Sequence, residues 1–501
     1  MMQQKQKTLE LGTKPVGKLL AQYALPAIVA MVASSLYNMV DSIFIGQGVG
    51  PMAIAGLAIT FPFMNLSGAF GAAVGLGSST LISVFLGQKN YEGAKNILGN
   101  NVTLNSIIGI VFAIVCLTFL DPILRFFGAS DQTLPYAREY MEILLCGNII
   151  THLYFGMNAV LRAASKPKMA MYATIFTVVT NTILDPIFIY GFDMGIRGAA
   201  LATVLAQFLA LCWQLKLMSD KNELLHLHRG IYRLKGDLVR RIIGIGISPF
   251  LMNACACLVI IFINNALVSY GGDMAVGAYG IGNRISFMFV MICIGINQGM
   301  QPIVGYNFGA RQYGRMLKTL NYAIASATLV MLAGWTVGEF FPRTIIRLFT
   351  TDSELIEAAT YGLRINMLLF PIIGYQIVVT NFFLSLGKAK ISAFLSLSRQ
   401  MLFLIPLVVI LPPIYGIDGV WAALPASDAI AAVVTAVIMG IYMRRFRRME
   451  RDPMNTPAVE LSESERIEKE LSKHVNRNAA EAPKQVAPWS TNTPRYSSLD
   501  S

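Results

Sequence analysis

The chain is poor in charge. Of its 501 residues, 14 % are Asp, Glu, Lys or Arg and 55 % are hydrophobic, whereas soluble domains run near 25 % charged. That deficit excludes an ordinary water-soluble globule. Histidine and cysteine are scarce too, at 4 and 6 residues, and neither is arranged for chemistry. His152, His226, His228 and His474 form no i, i+4 ligand pair. Cys116, Cys146, Cys212, Cys255, Cys257 and Cys293 all fall in apolar runs, and Cys255-Ala256-Cys257 lacks the two-residue spacer of a redox or zinc pair. They read as small buried side chains. No G-x-x-x-x-G-K-[S/T] phosphate cradle occurs, which argues against ATP as the energy source. No Ser-His-Asp, zinc or paired-carboxylate catalytic set is present, so the expectation is a protein that is not an enzyme and holds no cofactor. The polar start, Met1 to Lys7, runs into a long apolar segment without a small-residue cleavage site, so no cleavable signal peptide is expected.

What the chain has instead is long apolar runs. A membrane-crossing helix needs about 20 largely apolar residues, and twelve stretches meet that: 16–46, 53–86, 96–120, 134–164, 169–191, 197–219, 237–270, 274–307, 317–341, 355–387, 391–414 and 419–446. They far exceed the ~10 residues of a barrel strand. The fold class is therefore an all-α polytopic membrane protein. The net charge of +12 follows the topology. Lys89 and Lys95, Arg162, Lys166 and Lys168, the run from Lys216 to Arg241, Arg311 to Lys318, Lys388 and Lys390, and Arg444 to Arg448 all follow even-numbered spans. The positive-inside rule then puts both termini in the cytoplasm. Anionic lipid headgroups, rather than nucleic acid, are the partners of this basic surface.

The second half of the chain repeats the first. Gly50-Pro51-Met52-Ala53 answers Gly272-Asp273-Met274-Ala275, and Gly87-Gln88-Lys89 answers Gly309-Ala310-Arg311, both 222 positions on. Ser165-Lys166 matches Gly387-Lys388 at the same offset, and Tyr190-Gly191-Phe192-Asp193 matches Tyr415-Gly416-Ile417-Asp418 with a small shift. The domain expectation is an amino-terminal lobe of six spans (1–218), a cytoplasmic linker (219–241), a carboxy-terminal lobe of six spans (242–448) and a disordered cytoplasmic tail (449–501), with a short amphipathic turn near Glu463–Leu471. Six is even, so the two halves run parallel, and two such bundles enclose a cleft at their interface, where the substrate sites of secondary transporters tend to lie.

Acids inside the membrane are costly, roughly 2.5–3.5 kcal/mol each on insertion scales, and usually functional. Asp41 stands in span 1, and Asp185 stands in span 5 with Asn181 four residues earlier on the same helix face. Pro186 frees a backbone carbonyl and is a kink point. Tyr37 and Asn38 on span 1, Tyr140 and Asn158 on span 4, and Thr203 and Gln207 on span 6 are neighbouring polar candidates. This oxygen-rich set suits a hard monovalent cation or a proton shared between two carboxyls. In the second half Asn264 stands opposite Asp41 and a residue near Ile410 opposite Asp185, so neither acid recurs. That half carries Arg284, Arg364 and Arg399 instead, read as paired or snorkelling side chains.

Twelve spans in two halves, Asp41 on span 1, Asn181 and Asp185 on span 5 and the Gly-x3-Tyr ends of spans 2 and 8 together resemble the multidrug and toxic compound extrusion (MATE) family over about residues 10–448. The match is best with the bacterial branch whose amino-terminal lobe holds the cation site. The resemblance implies that Asp41, Asn181, Asp185 and Thr203 form that site, binding a metal ion if sodium is the coupling ion. It also implies that span 1 bends about Pro26. Ser248–Tyr270 contains no acid, unlike the branch with a glutamate in span 7. The implied activity is antiport at the bacterial inner membrane, with sodium ions or protons exchanged for small organic cations by a monomer. A flippase for lipid-linked saccharides is the alternative, and it would require cationic residues lining the cleft.

Overall fold

The structure is a computed structural model of the chain, and it describes residues 9–49 and 51–451. The expected tail, with Glu463–Leu471, lies outside them except at its first residues. Asn38 sits on a described helix, but its side chain lies outside the described ones.

Among the described residues ten helices are long and apolar enough to cross a bilayer singly, and with each of two bent pairs counted as one span the number is twelve. Spans 1 to 3 are Val16–Gly48, Pro51–Gly87 and Tyr91–Thr118. Span 4 is the pair Leu134–Cys146 and Asn148–Ala163, bent by 59°. Spans 5 and 6 are Pro167–Gly191 and Gly195–Met218; spans 7, 8 and 9 are Gly236–Gly272, Met274–Gly309 and Tyr313–Phe340. Span 10 is the pair Ser353–Met367 and Phe370–Ser385, bent by 51°, and spans 11 and 12 are Ala389–Tyr415 and Ile417–Arg451. Spans 4 and 10 were read as single helices from the sequence. Both are broken: Gly147 passes so close to span 6 that a Cβ would meet Val204 at 2.5 Å, and Pro371 near the start of the second piece of span 10 has no N–H to continue a helix.

The duplication is visible in the backbone. Lys89 and Arg311, 222 positions apart, both take left-handed φ values of 60° and 58°. Each is followed by a residue whose N–H closes the helix end, Asn90 to Phe85 O and Gln312 to Asn307 O, both at 2.8 Å. Ser165 and Gly387, again 222 apart, repeat the device at φ 62° and 72°. At the start of spans 6 and 12 the matching left-handed residues are Gly195 (φ 57°) and Gly416 (φ 59°), 221 apart. This corrects the register read from the Tyr-Gly-x-Asp motifs: Thr203 stands opposite Leu424, and Gln207 opposite Asp428.

The lobes meet along spans 1 and 2 of one and spans 7 and 8 of the other. Gly87 and Gly309 face the opposing backbone so closely that any Cβ would collide, with Tyr306 O and Val84 O respectively. Gln301 donates to Thr80 Oγ1 at 2.7 Å. Asn307 and Arg315 hold the backbone ahead of span 1, through Leu11 O at 3.0 Å and Lys14 O at 2.6 Å. Further along, Gln298 meets Met31, Gly295 approaches Ile28, and Phe70 meets Phe250, the rings 4.5 Å apart. These contacts lie in the halves of the helices nearest the basic loops and close the lobes together there.

The linker is shorter than expected, because span 7 begins at Gly236. It is also docked. Asn100 of span 3 donates to Arg233 O (3.3 Å) and accepts from Lys235 N–H (3.0 Å), and Thr103 donates to Tyr232 O (2.9 Å). Two cysteines depart from the reading as buried: Cys146 and Cys212 are exposed on the helix surface.

Candidate cation site

Four polar side chains far apart in sequence come together inside the amino-terminal lobe. Asp41, Asn181, Asp185 and Thr203 are 6 %, 1 %, 0 % and 9 % exposed. Span 1 packs along span 5, and span 5 along span 6, so the inward faces of three helices converge here. Asn181 and Asp185 share a face as their spacing requires. Immediately after Pro186 the helix widens into a π turn over Ile187–Gly191, a feature frequent at functional sites.

The amide of Asn181 links the set. Oriented to satisfy both its ends, its nitrogen donates to Asp185 Oδ2 at 2.9 Å, and its oxygen accepts from the Thr203 backbone N–H at 3.0 Å and from the Thr203 hydroxyl at 3.2 Å. The Tyr37 hydroxyl lies 3.2 Å from Thr203 Oγ1. The carboxyl groups of Asp41 and Asp185 are in hydrogen-bonding contact, while Asp41 Oδ1 is buried without a hydrogen-bond partner. Two carboxylates cannot bond to each other while both are ionised. Either a proton sits between them or a cation takes its place. Tyr140, 1 % exposed, lies within electrostatic reach of Asp41, Asp185 and Tyr37 and joins the pocket to an apolar cluster with Ile45, Leu57 and Phe63.

Other candidates are elsewhere. Asn158 donates to Ala170 O (3.1 Å) and Thr174 Oγ1 (3.2 Å) and accepts from Arg162, tying span 4 to span 5 at the end of the basic loops. Gln207, a turn past Thr203, accepts from Thr151 at 2.6 Å. Pro26 is buried in span 1 beside Ala24 and Ile28, where Gly299 and Gly295 of span 8 approach. Arg284 is exposed. Arg364 is 3.9 Å from Glu339 near the outer end of spans 9 and 10. Arg399 is 2.8 Å from Asp428 of span 12. Asp428 is the residue that sequence reasoning missed. The second lobe is not free of buried acids, and the cost argument that singled out Asp41 applies equally to this one.

Two parallel six-span lobes, with a carboxyl pair buried in one, define a polytopic protein of the secondary-transporter class. The model of the MatE family matches the chain twice, over residues 26–187 and 249–410. Together these cover more than half of it, and the chain belongs to that family. Both ends of the two matches lie 223 residues apart (249 − 26 and 410 − 187), which places Asn264 opposite Asp41 and Val408 opposite Asp185. The multidrug export protein MepA of Staphylococcus haemolyticus (strain JCSC1435) is 27 % identical over 428 residues, 85 % of this chain and 94 % of that protein. MepA of Staphylococcus aureus (strain MSSA476) is 27 % identical over 437 residues, 86 % and 95 %. A solved structure described as the outward-facing conformation of a multidrug resistance MATE family transporter of the MOP superfamily superimposes with a TM-score of 0.83 at 23 % identity, covering 88 % of this chain and 98 % of that one. It shows the same fold.

Proposed function

We propose that the chain is a monomeric antiporter of the bacterial inner membrane that exports small organic cations in exchange for sodium ions or protons. The observation that carries this reading is the buried contact between Asp41 and Asp185, with Asp41 Oδ1 left without a partner. The pair is a receptor for one small cation and is flanked by the neutral oxygens of Asn181, Thr203 and Tyr37. With the basic loops cytoplasmic, the closed seam is the cytoplasmic one, which supports an outward-facing reading of this conformation. The cation enters from outside, and its binding energy differs between outward-open and inward-open forms; that difference is what drives the exchange. Span 1 carries both Asp41 and Pro26, so a bend at Pro26 alters the geometry at the site. The two lobes, the linker and the tail follow the boundaries of the repeat.

The flippase alternative calls for cationic residues lining the cleft. Arg284, Arg364 and Arg399 stand on three different spans, 8, 10 and 11, the last two beside Glu339 and Asp428, and no observation gathers them into one site for a pyrophosphate. The deciding measurement is dye efflux from proteoliposomes under a sodium gradient or a pH gradient, each imposed alone. Efflux under one and not the other identifies the coupling ion. Efflux that persists with neither overturns antiport.

A further inference from the structure

The carboxy-terminal lobe holds a second charged cluster that the exchange described above does not use. Arg399 lies on a π-helical stretch of span 11, Ser398–Leu404. Asp428 on span 12 meets it at 2.8 Å through Nη1 and Oδ1. Asp428 is twelve residues past Gly416, ~18 Å along the helix at 1.5 Å per residue and so near the midplane of a ~30 Å hydrocarbon layer. An ionisable group at that depth is by default a functional hypothesis. Tyr279 of span 8 lies within reach of the Arg399 charge, and its ring is 6.2 Å from that of Trp421. Gln400 Oε1, next in the chain, is buried without a partner.

The pair is lopsided. The Asp428 side chain is 9 % exposed and the Arg399 side chain 32 %, so of the two charges the guanidinium is the more accessible. Arginine has five N–H donors, and among the described residues Arg399 uses one, on Asp428. A guanidinium fork matches a carboxylate in bidentate fashion, and the half-buried Tyr279 ring offers a stacking face, held in place by Trp421, which is itself buried at 4 % exposed. A cationic ligand would have to strip Arg399 from a buried acid, leaving a charge unpaired.

We propose that Arg399, with Asp428 as its resting counter-ion and the Tyr279 ring beside it, is an anion-accepting subsite for the carboxylate of aromatic zwitterionic cargo. The proposal rests on the export reading only for the word cargo, because binding is measurable without a gradient. The probes are rhodamine 110, an aromatic zwitterion, and rhodamine 123, its methyl ester, which keeps the cation and loses the carboxylate. Fluorescence polarisation on the purified full-length chain in detergent reads both affinities. The expected result is that Arg399→Gln weakens rhodamine 110 by about tenfold or more and leaves rhodamine 123 within about twofold. Asp428→Asn, which frees the fork, strengthens rhodamine 110. Arg399→Gln/Asp428→Asn leaves no unpaired charge and serves if the single variant does not fold; it also loses the preference for rhodamine 110. Equal loss of both dyes means that the pair is structural, and unchanged rhodamine 110 binding in both Arg399 variants, or none to the unmodified chain, overturns the subsite. An Asp41→Asn variant that still exports dye would sink the coupling reading and leave this one standing.

Discussion

In the amino-terminal lobe two carboxyl groups, Asp41 and Asp185, face each other, and among the described residues neither has a basic partner. In the carboxy-terminal lobe one buried carboxylate, Asp428, is met by Arg399 at 2.8 Å. The scaffold is the same: the turns repeat at 222 residues down to their left-handed φ values, and spans 4 and 10 are bent by 59° and 51°. The difference teaches that burial of charge is not a demand of the fold. One lobe leaves its carboxyl pair without a basic partner among the described residues, which is what the proposed exchange needs. The other satisfies its charge with a tethered guanidinium.

The sharpest way to break the comparison is to remove the mobile half. Asp41→Asn or Asp185→Asn should abolish gradient-driven dye efflux while leaving membrane insertion intact, as assayed in proteoliposomes and by size-exclusion of the solubilised protein. Adding Asn264→Asp, which puts a carboxylate at the corresponding place in the other lobe, should not restore it. Next in size is the seam that both lobes share. Gly87→Ala or Gly309→Ala forces a methyl into opposing backbone, so the sealed end should open and transport should fall by about an order of magnitude, since 1.4 kcal/mol of bias is tenfold in population. Distances between spin labels on the outer ends of the two lobes would report it by shortening.

Breaking the fixed half should act on stability. Arg399→Gln leaves the buried Asp428 carboxylate unpaired, at a cost of about 3 kcal/mol; Asp428→Asn strands the more exposed Arg399 at a smaller cost, and the double variant should recover most of the larger loss. Thermal unfolding followed by tryptophan fluorescence tests the order. A double variant less stable than both single ones would refute it. The smallest effect is expected from Tyr37→Phe. It removes one hydrogen bond to Thr203, worth about 1 kcal/mol, so the concentration of coupling ion for half-maximal efflux should rise about fivefold.

Much of this was legible in sequence. Twelve spans follow from run length, and Asn181 and Asp185 share a face because they are four apart. Thr203 was found by its polarity within span 6. The bends were not legible at Gly147 and at Leu368 and Leu369, because an apolar run keeps its composition through a break. Nor was the register of spans 6 and 12. The Tyr-Gly-x-Asp motifs pointed to one alignment, while the backbone aligns Gly195 with Gly416, a matter of φ that residue identity only partly encodes. Asp428 was hidden differently: it is a single acid in an alanine-rich run, and its meaning depends on Arg399, 29 positions earlier. Asn158 had the right residue type and depth but is occupied by Arg162, Ala170 and Thr174.

The grip of Asn100 on Arg233 and Lys235 makes the linker a fulcrum rather than a slack string. Span 7 starts from a point fixed to span 3 of the other lobe, so in the exchange proposed above a rocking of the lobes would turn span 7 about that point. Phe250, fourteen residues along, sits ~21 Å out at 1.5 Å per residue. A tilt of about 10° at the fulcrum therefore carries it ~4 Å, and carries the far end of span 7 some ~9 Å. A pivot placed at one end of a long arm would turn a small angle, set where the chain passes from one lobe to the other, into a displacement of several ångströms at the far end.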